Sequence, residues 1–85
     1  MKYKIEISPL ADYYVVVIRD KETLELKETF TLNESGADMI KLFCQGKDIA
    51  AVAQIIAAMY EVSIDSVKKD VEKFAEKLRK KGLFY

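Results

Sequence analysis

Histidine and tryptophan are missing from this 85-residue chain, cysteine and proline occur once each, and glycine occurs three times. Without histidine the commonest general base and zinc ligand is gone, and one cysteine completes neither an ordinary zinc site nor an internal disulfide. Gly36, Gly46 and Gly82 stand too far apart for a phosphate-cradling loop, so each is read as a residue at a helix boundary. No run of about twenty apolar residues exists, and residues 1–7 alternate charged and apolar side chains where a signal peptide would carry an apolar segment. These absences argue against catalysis, a bound metal, a cofactor and a membrane span, and for a cytoplasmic location. Cys44 lies in an apolar helical stretch, where a small buried thiol is expected. Glu72 and Glu76 are spaced for one helix face, but Lys73 and Lys77 beside them make a solvated mixed-charge surface the simpler reading than a divalent-ion site.

Charge of one sign is also lacking in excess, because lysine plus arginine and aspartate plus glutamate number fourteen each. The whole chain therefore has no field to steer it to phosphate or anionic lipid. Locally the balance tips: residues 65–81 hold seven basic and four acidic side chains. About half of the residues are apolar and a third are charged, the mixture of a globular chain, and the length allows one domain over residues 1–85.

Residues 2–8 alternate, placing Tyr3, Ile5 and Ile7 on one face of a strand, and Ser8-Pro9 is expected to break it. Residues 13–18 are apolar on both faces, which predicts a central strand over 13–19 covered on both sides. Residues 24–32 alternate again, with Leu24, Leu26, Phe30 and Leu32 inward, Glu25, Lys27, Thr29 and Thr31 outward, and Glu28 interrupting the inward set. The period then turns helical. Asn33 is the expected cap of a helix over 34–45 whose buried face holds Ile40, Phe43 and Cys44. Asp48 is the expected cap of a second helix over 49–60, burying Ile49, Val52, Ala53, Ile56, Met59 and Tyr60. Ser63 is the expected cap of a third over 64–81, with the stripe Ile64, Val67, Val71, Phe74, Ala75 and Leu78. Residues 83–85 form an apolar tail that either folds back on the sheet or frays. Three strands followed by three helices is an α+β layout, winged-helix-like, with a three-stranded antiparallel sheet.

Several stretches in this order carry a family resemblance: Thr31-Leu32-Asn33-Glu34-Ser35-Gly36-Ala37, a helix to Leu42-Phe43, the Gln45-Gly46-Lys47 break, Tyr60-Glu61-Val62-Ser63, and Val67-Lys68-Lys69-Asp70-Val71-Glu72-Lys73-Phe74 running on to Lys81-Gly82-Leu83. Together they resemble the PqqD-like family over most of the chain. The resemblance implies a non-catalytic module that binds the leader segment of a ribosomally made precursor peptide and presents it to a separate modifying enzyme. The founding member serves pyrroloquinoline quinone synthesis by presenting a precursor peptide to a radical S-adenosylmethionine enzyme, which implies a partner of that kind here. The resemblance also implies that the leader adds to the third strand beside the last helix, which here means Glu25, Leu26, Lys27, Glu28, Thr29 and Phe30. On the last helix, rotation of about 100° per residue sets Asp70, Lys77 and Lys81 beside Phe74 on one border of the apolar stripe, with Lys68, Glu72 and Arg79 on the other. The first border, Asp70, Phe74, Lys77 and Lys81, is the candidate wall of the peptide groove, while the spacing leaves open which border faces the strand.

Two rivals remain at this level. A winged-helix nucleic-acid-binding regulator would use the lysines of residues 68–81, although zero net charge and interspersed acids argue against nucleic acid as the partner. A homodimer would pair through the same sheet edge.

Overall fold

A computed structural model of the chain describes residues 3–83. It contains β1 (Tyr3–Leu10), β2 (Tyr13–Asp20), β3 (Leu26–Leu32), α1 (Glu34–Cys44), α2 (Ile49–Tyr60) and α3 (Ile64–Lys80), in that order. The strands form one antiparallel sheet in the order β1-β2-β3, which confirms the α+β class with three strands followed by three helices. No described helix is long and apolar enough to cross a membrane.

β1 does not stop at Ser8-Pro9 but runs on to Leu10, and a two-residue turn at Ala11-Asp12 leads into β2. The register explains why proline is tolerated there. Leu10 and Tyr13 flank the two-residue turn and so form a hydrogen-bonded pair, after which bonded and non-bonded pairs alternate. Pro9, opposite Tyr14, falls in a non-bonded pair on an edge strand, where a missing N–H costs the ladder nothing.

The inner face of the sheet carries Ile5, Ile7, Val16, Ile18, Phe30 and Leu32, which pack with Ile40, Leu78 and Leu83. A second cluster, Met39, Val52, Ala53, Ile56, Val67 and Val71, joins the three helices, and Phe43 and Phe74 pack against both. The expected double cover of β2 is not found: Val16 and Ile18 are completely buried while Val15 and Val17 are only partly so. Two of the three predicted caps form, with Asn33 Oδ1 accepting from the Gly36 N–H and Asp48 Oδ1 from the Ala51 N–H, each at 2.8 Å. Ser63 occupies the cap position of α3, but its side chain makes no capping bond; its carbonyl instead accepts from the Ser66 hydroxyl.

Several expected core positions lie outside. Cys44 is exposed, because α1 turns its Gly36, Ala37, Met39 and Ile40 face inward and leaves its last residue past the packed stripe. Its thiol is nonetheless partly desolvated by neighbouring bulk, which pushes its pKa up and keeps it protonated at neutral pH. Ile49, Met59, Tyr60 and Ile64 are exposed as well, since they sit at the ends of α2 and the start of α3, where neighbouring elements cover them only in part. Leu83 does fold back and is buried. Gly82 makes this possible, with φ +73 and a Leu83 N–H bonded to the Leu78 carbonyl, the left-handed reversal that closes a helix and returns the chain. The rest of that predicted tail, Phe84 and Tyr85, lies outside the described residues.

Candidate functional site

The sheet offers two borders, and they are not equivalent. On the β1 border Pro9 removes one outward donor, which blunts that edge toward any visiting strand. On the β3 border the same alternation can be followed across the sheet. Tyr14, Val16 and Ile18 are non-bonded toward β1 and therefore bonded toward β3, where they meet Leu32, Phe30 and Glu28. Thr29 and Thr31, opposite Val17 and Val15, accordingly turn their N–H and C=O groups away from the sheet. No strand pairs with that side among the described residues.

A bulge at Ile18/Arg19 disturbs the start of β3. Arg19 pairs with Leu26 while Ile18 pairs with Glu28, so Lys27 is the extra residue. The insertion reverses the facing expected before it: Leu26 aligns with Arg19 and is about half exposed, like Leu24, rather than inward. Leu24 adopts φ 63, and its N–H bonds to the Asp20 carbonyl, closing the turn that leads into the strand. Glu25 lies before β3, its carbonyl accepting from the Asp20 N–H. Glu28, which looked like an interruption of the apolar set, points inward and is half-buried.

Glu28 meets Lys81, whose ammonium donates to Oε1 at 2.5 Å and also stands 4.8 Å from the centre of the Phe30 ring. This pair ties the C-terminal end of α3 to the middle of β3 and settles which border of the helix lies beside the strand. It is the border of Asp70, Lys77 and Lys81. Asp70 and Lys77 are exposed along it, whereas Phe74 is half-buried and stacked on Phe43 with ring centres 6.5 Å apart. Phe74 is thus a core residue that supports the wall. The opposite border, with Glu72, Glu76 and Arg79, instead lines a cleft of about 860 Å³ against Phe43, Gly46 and Lys47.

Of the ten residues expected to line the groove, Glu28, Phe30 and Lys81 are in direct contact, Thr29 supplies outward backbone, and Lys27 sits in the bulge with its ammonium 5.9 Å from the Tyr3 ring centre. Thr31, outside the predicted stretch, has the same outward backbone as Thr29. Counting pairs back from the two-residue turn at Ala11-Asp12 would have found it.

The family model described as "Coenzyme PQQ synthesis protein D (PqqD)" matches residues 15–83. A solved structure, TbiB1 in complex with the TbiA(beta) leader peptide, is similar with a TM-score of 0.68 at 25% identity, over 98% of this chain and 93% of that one. No curated protein sequence matches.

Proposed function

The chain belongs to the PqqD family, and from that premise we propose that it binds the leader segment of a precursor peptide by strand addition along β3 and presents it to a modifying enzyme. The observation that carries this reading is the outward backbone of Thr29 and Thr31 on an unpaired edge, beside the wall that Lys81 and α3 build. An extended chain placed there completes a fourth strand, and its main-chain bonds supply affinity that tolerates sequence change. The likeness to a solved leader-peptide complex supports the same reading.

In this role the chain is an accessory protein without chemistry of its own. We assign the chemistry to a separate radical S-adenosylmethionine enzyme in the cytoplasm, with pyrroloquinoline quinone or a related modified peptide as product. The side chains proposed to shape the groove are Leu26, Lys27, Glu28, Phe30, Lys77 and Lys81.

The test is a titration of isotope-labelled protein with the peptide encoded by the short reading frame nearest its gene, following amide shifts. Shifts confined to residues 26–32 and 70–81 are expected. Shifts elsewhere with those segments silent overturn the proposal. A concentration-dependent dimer that the peptide does not dissociate points instead to self-pairing through the edge.

A further inference from the structure

The proposed groove has a charged wall. By helical periodicity Asp70, Lys73, Lys77, Lys80 and Lys81 share the border of α3 that ends on β3, four lysines against one aspartate. The opposite border is balanced, with Lys68 and Arg79 against Glu72 and Glu76. Zero net charge over the chain thus conceals a strongly one-signed strip in one place. Among the described residues Lys81 is engaged by Glu28, whereas Lys73 and Lys77 make no ion pair and are exposed. Cations in the last turn of a helix stabilise its dipole, which gives Lys77 and Lys80 a role of their own. Lys73 lies a turn further back, where the dipole has no such need, and the dipole does not select one border over the other.

We propose that the segment taken up beside β3 is acidic, an extended peptide with carboxylates at alternate positions that are read by Lys77 and Lys73. This inference rests on the strand-addition reading above and adds the charge class of the ligand. The spacings agree. Four residues of helix advance about 6 Å, and two residues of strand advance about 6.6 Å, so where the added strand runs along α3, carboxylates at its positions i and i+2 keep step with lysines one helical turn apart. Both carboxylates then lie on the same face of the new strand, the face toward α3. The Glu28–Lys81 pair closes the far end of this row, and its carboxylate penalises a third acid at the next alternate position.

The test is selection from a phage-displayed library of random twelve-residue peptides on the intact protein and on the double variant Lys73→Glu, Lys77→Glu, whose fold is checked by circular dichroism. For the native chain the selected peptides should be enriched in Asp and Glu at alternate positions, and the enrichment should reverse to Lys and Arg on the variant. A synthetic copy of a selected peptide should bind the variant at least about tenfold more weakly, and the native protein more weakly when salt rises from about 0.05 to about 0.5 M. Peptides that shift residues 26–32 but show no charge preference, or lose nothing to charge reversal, overturn the acidic assignment and leave strand addition standing. Selected peptides that map elsewhere overturn both. So does a library that yields none while a labelled random DNA duplex binds and is released by the same reversal, because the lysine row is then a nucleic-acid surface. A library that yields none with no duplex binding equally overturns both.

Discussion

At the level of single residues, two contacts decide how side chains that looked ordinary behave. The Tyr60 hydroxyl donates to Asp38 Oδ2 at 2.6 Å, and this bond, followed by slight desolvation and the nearby charges of Asp38 and Glu34, pushes the phenol up to about 12. A folded-state value above the unfolded one near 10 means the contribution is complete below about pH 10 and fades as pH climbs to about 12. Thermal midpoints across that window should fall less steeply for Tyr60→Phe than for the native chain, and an identical fall would deny the bond a role. Glu28 and Lys81 form the second contact. Because both are partly exposed, a double-mutant cycle with Glu28→Gln and Lys81→Met should return a coupling of about 0.5–1 kcal/mol, nearer zero at high salt. A coupling of zero at every salt concentration would mean that the contact of Lys81 with Phe30, rather than the charge pair, holds the helix end to the strand.

At the level of elements, β3 and the turn between α2 and α3 each carry a local irregularity with a measurable consequence. Thr29 has an outward N–H, so Thr29→Pro should weaken leader binding at least about tenfold while lowering the thermal midpoint only modestly. Glu28→Pro, one residue away, removes a ladder bond to β2 and should unfold the sheet. If the two variants lose stability equally, the alternation traced from the β1-β2 turn is wrong. Glu61 closes α2 with φ 53 and ψ 46, a left-handed conformation that a non-glycine residue adopts at a cost of about 1–2 kcal/mol. Glu61→Gly should therefore stabilise the chain by up to about 1 kcal/mol in chemical denaturation, once the greater freedom of unfolded glycine is subtracted.

At the level of the whole molecule, a ligand that completes the sheet stabilises every element packed on it. Peptide at about a hundred times its dissociation constant should add about 2.7 kcal/mol, roughly 10–20 °C in the midpoint of a chain this small. If binding saturates without that rise, the peptide engages the unfolded chain equally well. The sheet packs helices on one face only, and its two edges differ because Pro9 occupies one of them. That asymmetry favours β3 over β1 for the visitor.

Order of elements, helix caps at Asn33 and Asp48 and the helix stop at Gly82 were all legible in the sequence, because each depends on residues within a few positions of one another. The basic excess of residues 65–81 was visible there too, but not which lysines lay toward the strand. What only the tertiary structure decided are the facts that depend on distant partners. The bulge opposite Ile18/Arg19 turned Leu26 outward, and Glu28 found Lys81 fifty-three residues away. Helix ends such as Cys44, Met59 and Tyr60 were left exposed because three short helices on a three-stranded sheet have too few neighbours to cover them. Local chemistry sets what each segment can become; which face is covered, and which edge stays open, is a property of how the segments meet.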